Sequence, residues 1–156
     1  MTKPNIETTS RDDIPALQIV VEQTGLFPAD MLPELLAPFF AGESPGLWLT
    51  AHQNGAAVGL CFADPEPFAD GTWNMRALAV HPEWQGAGIG SALVAVAEER
   101  LRGDGQRIVG VDTSGSPAFS QARQFYIRNG YTQEARIRDF WAPGDDKLTF
   151  WKSLYR

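Results

Sequence analysis

The sequence predicts a mixed α/β fold in which antiparallel strands lead into a parallel strand–helix–strand unit. Three observations carry that expectation. Asn54-Gly55 separates two apolar runs, 47–52 and 56–63, and an Asn-Gly pair in that setting marks a tight antiparallel hairpin. Helix-spaced apolar residues (Ile89, Leu93, Val94, Val96, Ala97, Leu101) lie between strand-like runs at 72–80 and 107–113, and a right-handed crossover makes two such strands parallel. With the remaining segments, the elements follow the order βααβββαβαββ.

Taken in turn, residues 6–9 read as a short first strand. Ser10, Arg11, Asp12 and Asp13 then supply polar caps to a helix whose apolar side is Ile14, Leu17, Ile19, Val20 and Val21. A break at 27–30 precedes a second helix over 31–40 with Leu32, Leu35, Leu36, Phe39 and Phe40 at helical spacing. Pro33 suits its first turn, and Pro38 is expected to end or kink it. In the helix that starts at Ile89, Glu98, Glu99, Arg100 and Arg102 form the polar side, and Gly103 is placed for a left-handed cap. Ser116-Pro117 opens the next helix and Asn129-Gly130 closes it. Two final strands, 131–140 and 147–154, flank a turn at Pro143-Gly144.

The chain has 156 residues, a length that suits a single domain over 1–156 with one sizeable core. Its 44% hydrophobic and 21% charged residues are those of a water-soluble globule, and no apolar run approaches the ~20 residues of a membrane helix. No membrane partner is expected. A net charge of −6 without a Lys/Arg cluster argues against nucleic acid as a partner. The single cysteine, Cys61, forms no internal disulfide, and Met1 to Asn5 lack the apolar core of a secretory signal; both suit the cytoplasm. No metal site is expected, and neither His52 nor His81 sits in a pattern that suggests chemistry.

The stretch 78–90, Leu-Ala-Val-His-Pro-Glu-Trp-Gln-Gly-Ala-Gly-Ile-Gly, carries the functional signal. A buried strand runs through a short loop into the glycine-rich start of a helix. Glycines at 86, 88 and 90 let successive N–H groups turn toward one point, and the helix dipole adds partial positive charge there, so an anion belongs at Gly86 to Gly90. It is not a nucleoside-triphosphate loop, because Gly90 is followed by Ser91 where such a loop needs Lys. A dinucleotide fingerprint fits poorly, since the third small residue falls on Ser91 or Leu93; Asp112, as a ribose-binding acid, keeps that reductase reading as a rival.

Gln85-Gly86-Ala87-Gly88-Ile89-Gly90 resembles the acetyl-CoA loop of the GCN5-related N-acetyltransferases, whose pattern is Gln/Arg-x-x-Gly-x-Gly/Ala. A second match is residues 122–131, Ala-Arg-Gln-Phe-Tyr-Ile-Arg-Asn-Gly-Tyr, similar to the family's helix that ends in a Tyr, a polar turn and an aromatic. The resemblance implies an acyl-CoA N-acyltransferase fold with helices on both sheet faces and a cleft where two parallel strands diverge. It implies acetyl-CoA as cosubstrate and a primary amine of a small molecule or peptide as acceptor. By the same resemblance, Leu78, Ala79 and Val80 pair with the pantetheine arm and the Val80 N–H polarises the carbonyl. The amides from Gln85 through Gly86, Ala87, Gly88, Ile89 and Gly90, with Ser91, hold the pyrophosphate. Tyr126 both contacts the cofactor and serves as general acid to the departing thiolate. The helix pair at 14–40 forms one cleft wall, with Glu22, Phe27, Phe39 and Phe40 as candidates to line it. A homodimer is admitted as an assembly, and a non-catalytic acyl-CoA sensor is the alternative function.

A protonated amine, with a pKa of ~10.4, needs a base near neutrality. The family often places a Glu on the strand before the loop, whereas this strand reads Thr72-Trp73-Asn74-Met75-Arg76-Ala77, with no acid. Glu22, Glu66, Asp112 and Asp139 remain open as bases acting through water. Trp141, beside Asp139, Asp145 and Asp146, is expected to cap the acceptor end.

Overall fold

The computed structural model describes residues 3–155; Met1 and Thr2, on which part of the leader reading rests, lie outside the described residues. Its strands are β1 (Asn5–Thr8), β2 (Leu47–Gln53), β3 (Ala56–Pro65), β4 (Thr72–Val80), β5 (Ile108–Ser114), β6 (Thr132–Ala142) and β7 (Asp145–Ser153). The helices are α1 (Ile14–Thr24), α2 (Leu32–Phe40), α3 (Ile89–Gly103) and α4 (Ser120–Arg128). One mixed sheet runs in the order β1-β2-β3-β4-β5-β7-β6, with β4 and β5 parallel and the other pairs antiparallel. The element order is the one expected from the sequence. The β2–β3 turn takes positive φ at both Asn54 (53°) and Gly55 (80°), the geometry that matches strand twist in a two-residue hairpin.

Two apolar clusters sandwich the sheet. On one face Leu17, Val20 and Val21 of α1 and Leu32 and Leu36 of α2 pack over Trp48, Leu60, Ala77 and Ala79. On the other, Ile89, Leu93, Val94, Ala97 and Leu101 of α3 cover Leu49, Cys61, Met75, Val109 and Val111. Period-2 alternation along the central strands sends successive residues to opposite clusters.

Several local expectations are corrected. Ile19 and Leu35 are exposed, at 52% and 39%, because α1 and α2 each bury only a narrow stripe. Gly25, with φ 68°, caps α1 before the expected break. Pro38 does not end α2, which continues to Phe40. At the end of α3 the left-handed residue is Gly105 (φ 77°), not Gly103; Gln106 N–H reaches the Leu101 carbonyl across it at 2.9 Å. The final hairpin is tighter than expected, since β6 and β7 extend to Ala142 and Asp145.

Glu98 is the largest departure from the amphipathic reading: it is 6% exposed. It lies four residues after Val94 and three before Leu101, so helical spacing already puts it on the packed face. Tyr131 Oη donates to one carboxylate oxygen at 2.8 Å, and Lys152 Nζ donates to the other at 2.8 Å and to the Asn129 carbonyl at 2.8 Å. Burial first, and then Glu98, raise the Tyr131 phenol far above its ordinary value, so it donates at any working pH. This network ties α3, the end of α4 and β7 together.

A second polar knot anchors β1. Asp13 accepts from the Ser10 amide at 2.9 Å and bonds His52 Nε2 at 2.8 Å, while Thr50 Oγ1 donates to Thr9 Oγ1 at 2.8 Å. Burial alone pushes the Asp13 carboxyl up, but the Ser10 amide, His52 and Thr50 outweigh it and hold it below its ordinary value.

Lys152→Met leaves the buried Glu98 carboxylate without its cation and is expected to cost about 3 kcal/mol, read as a lower denaturation midpoint in urea. Because the Asp13 pKa is depressed in the folded state, its contribution is complete above the unfolded value of ~3.9 and is lost as pH falls through the lower folded value. Asp13→Asn should therefore be less stable at neutral pH, by about 1–3 kcal/mol, and show a shallower decline in stability below pH ~4. Melting curves across that range check both signs.

Candidate functional site

The central feature is a gap between two neighbouring strands. Parallel pairing of β4 with β5 covers only Thr72, Trp73 and Asn74 opposite Ile108, Val109 and Gly110, although β4 runs on to Val80 and β5 to Ser114. The cause is on β4: one step along β3, Phe62 to Ala63, spans two along β4, Ala77 to Met75, so Arg76 is a bulged extra residue. A bulge bends and twists its strand, and here it carries β4 away from β5.

Hydrogen-bond alternation then decides what faces the gap. His81 N–H bonds the Val58 carbonyl at 2.8 Å, which makes Ala77 and Ala79 the residues that exchange backbone bonds with β3. The N–H and C=O groups of Leu78 and the N–H of Val80 point the other way, into the gap. The Val80 carbonyl is occupied by Gln85 Nε2 at 3.0 Å, which pins the loop to the strand end.

From that pinned end the chain makes one 3₁₀ turn, Pro82–Trp84, and enters α3. His81 has a structural task here, as its Nδ1 accepts from the Glu83 amide at 3.1 Å. Gly86 and Gly88 adopt left-handed φ values of 82° and 83°. A Cβ at Gly90 would stand 3.1 Å from Phe125 Cε1, so a glycine there lets α4 approach the start of α3. Among the described residues, no amide from Gly86 to Ser91 donates within the chain; the first that does is Ala92, to the Gly88 carbonyl at 3.0 Å. Six free amides thus gather at the positive end of a fifteen-residue helix.

These parts enclose a cavity of about 440 Å³. It is lined by Leu78, Ala79, Val80, Gln85, Gly86, Gly88, Ile89, Gly90, Ser91 and Tyr126, so of the cofactor-binding residues expected from sequence only Ala87 stays off its wall; Glu22, Phe27, Phe39, Phe40 and Trp141, expected at the acceptor side, do not line it either. Trp84, Gln121, Ala122, Phe125 and Arg128 also line it and were not anticipated. On α4, Gln121, Ala122, Phe125 and Arg128 recur at helical spacing beside Tyr126, so extending that face would have found them. The lining contains one charged side chain, Arg128, and no carboxylate, which suits an anion.

Tyr126 lines the cavity from α4. Its ring meets Phe125 at 5.4 Å, Tyr131 at 5.9 Å and Phe150 at 5.9 Å between centroids. Among the described residues its hydroxyl has no hydrogen-bond partner. Burial, and then the neighbouring Cys61 thiol, push this phenol up to about 12. Phe119 precedes α4 in a 3₁₀ turn and is 46% exposed.

The acids considered as bases do not line the cavity. Glu66 accepts from Asn74 Nδ2 at 3.1 Å, Asp112 from Thr149 Oγ1 at 2.7 Å, and Asp139 from the Gly144 amide at 2.8 Å across the last hairpin. Glu22 is exposed on α1. Trp141 Nε1 donates to the Thr113 carbonyl at 3.3 Å, which rests the β6–β7 hairpin on the end of β5.

Comparison with known proteins agrees with this architecture. The family model described as an acetyltransferase (GNAT) domain matches residues 44–133, from β2 through the gap and the glycine loop to α4. A mycothiol acetyltransferase from Sanguibacter keddieii is 32% identical over 116 residues, covering 72% of this chain and 35% of that protein. The chain thus spans about a third of that curated relative's length. A protein assigned to the GNAT acetyltransferases from Desulfovibrio desulfuricans has a TM-score of 0.90 at 28% identity, over 98% of this chain and 100% of that one. A Salmonella typhimurium protein described as an acetyltransferase and solved with its cofactor acetyl-CoA has the same fold, with a TM-score of 0.78 at 16% identity over 99% and 96% of the two chains. With a family model covering more than half of its length laid over the gap, the loop and the cavity, this chain belongs to the GNAT acetyltransferase family.

Proposed function

We propose that the protein is an acetyl-CoA-dependent N-acetyltransferase that acts on a primary amine. The observation that carries this reading is the continuity of two unpaired backbone surfaces: the β4 edge at Leu78 and Val80, and the six amides from Gly86 to Ser91. One is suited to an amide-bearing arm and the other to a diphosphate, and their order along the chain matches the order of those groups in coenzyme A. Arg128 adds a cation to the cavity lining.

Acetyl-CoA supplies an activated acetyl group; the protein's part is to bind, orient and protonate. The Val80 N–H, free and directed into the gap, is suited to donate to a carbonyl oxygen as negative charge develops on it. Tyr126, with its pKa raised to about 12, stays protonated through the neutral range and holds a proton for a departing thiolate. No carboxylate lines the cavity, so the amine's proton leaves through water. The rival dinucleotide reading loses support because Asp112, the acid a ribose would need, is engaged by Thr149 and faces Lys147 at 3.8 Å.

Two variants test the reading. Gly88→Asp puts a Cβ at φ 83° and a carboxylate among the free amides. It should abolish acetyl-CoA binding in calorimetry while the melting temperature shows a folded protein; unchanged affinity rejects the loop assignment. Tyr126→Phe should lower kcat by about 10²- to 10⁴-fold in a thiol-release assay, with acetyl-CoA affinity near wild type. A kcat close to wild type rejects Tyr126 as the acid. A wild-type protein that binds acetyl-CoA without releasing thiol to any amine favours the sensor.

A further inference from the structure

Where β4 leaves β5 the gap has two sides. The cavity already described lies on the α3–α4 face, and the other mouth of the gap is on the face where α1 and α2 pack. On β3, Leu60 and Phe62 pack under α1 and α2, and alternation puts Asp64 on that same face. Arg76, the bulged residue at which β4 leaves β5, reaches this face too, because its Nε donates to Asp64 Oδ1 at 2.8 Å.

That bond engages the guanidinium through Nε, and among the described residues Arg76 has no other partner. Its Nη donors are uncommitted, and the side chain is 47% exposed. The nearby carboxylates are all engaged. Asp64 holds Arg76, Glu66 accepts from Asn74, and Asp112 accepts from Thr149 with Lys147 Nζ 3.8 Å away. Gly110, on β5 opposite Asn74, adds no side chain to obstruct the approach, and even a Cβ there would meet Asn74 Oδ1 at 3.7 Å. This mouth therefore presents a guanidinium fork with uncommitted donors, among carboxylates that each already accept a hydrogen bond.

Resting on the acetyltransferase reading, we propose that Arg76 is an acceptor-binding residue and that the acceptor carries a carboxylate as well as its amine. Asp64 fixes the guanidinium by its Nε edge, and the Nη donors take the carboxylate oxygens, the planar match that favours Arg over Lys. Arg76 lies two residues before Leu78 and four before Val80, about 7 to 13 Å along the strand. The amine thus reaches the gap while its carboxylate stays at the mouth, which favours an amino acid with several bonds between the two groups. A diamine would lay its second positive charge against the Arg76 Nη donors, where an amino acid lays its carboxylate.

The test is a thiol-release panel of glycine, β-alanine, γ-aminobutyrate and ε-aminocaproate, each against its carboxamide, with putrescine and cadaverine as cationic counterparts. The best amino acid should exceed its carboxamide in kcat/KM by about tenfold or more, the worth of a charge-assisted bond. Arg76→Gln should collapse that ratio to near unity through KM, and Arg76→Lys should recover only part of it, while calorimetric affinity for acetyl-CoA holds in both. Carboxamides or diamines acetylated as well as the amino acids overturn the proposal. So does a ratio that survives Arg76→Gln, or a protein that binds acetyl-CoA and acetylates none of the amino acids. Failure of the wild type to bind acetyl-CoA is a different result: it removes the acetyltransferase reading, and this assignment with it.

Discussion

The short reach of the β4–β5 pairing is the constraint on which the rest depends. Three residues on each strand hold the parallel pair together, and the Arg76 bulge then directs the remaining six residues of β4 away from β5. A fully paired strand would have spent the Leu78 and Val80 amides on its neighbour and left no cavity. An interrupted ladder is costly in a buried sheet, because unpaired backbone groups lose water without gaining a partner. The opening lies where a ligand's own amides and carbonyls can restore those bonds.

The glycine loop extends the same principle to a helix end. Every helix leaves its first amides unpaired, and most satisfy them with a capping side chain. Here the residue before α3 is Gly88, whose lack of a side chain rules out such a cap, and the sequence continues with Ile89 and Gly90. Gln85 instead spends its side chain on the Val80 carbonyl, so the loop is held at its base while its amides stay open. Edge of strand and end of helix thereby present one continuous row of donors.

Rigidity comes from the far side of the cavity. α4 is a nine-residue helix that buries none of its residues completely, so its own apolar contacts hold it weakly. The Glu98 network supplies part of the deficit: Lys152 grips the Asn129 carbonyl at the helix end, and Tyr131, bonded to Glu98, backs the Tyr126 ring. A buried carboxylate is a poor source of stability compared with a packed apolar residue, but once formed it admits few geometries. Its position behind Tyr126 gives the cavity wall a defined shape.

Local chemistry was enough to order the elements and to find the loop, because hairpin turns, glycine clusters and helical periodicity are written in consecutive residues. Asn54-Gly55 and the 86–90 glycines could both be read directly. The α1 and α2 stripes were read too wide, since Ile19 and Leu35 satisfy the periodicity yet find nothing to pack against. Glu98 was assigned to the polar side by residue type, although its spacing from Val94 and Leu101 favoured the packed side. Two features belonged to tertiary structure alone. The Arg76 bulge exists only as a mismatch between β3 and β4, and nothing in Met75-Arg76-Ala77 announces it. Trp84 meets the α4 face around one cavity only because Phe125 packs on Gly90 and brings α4 against the start of α3. Residue order determines what each segment can form; which unpaired groups end up facing one another is decided by contacts between segments far apart in the chain.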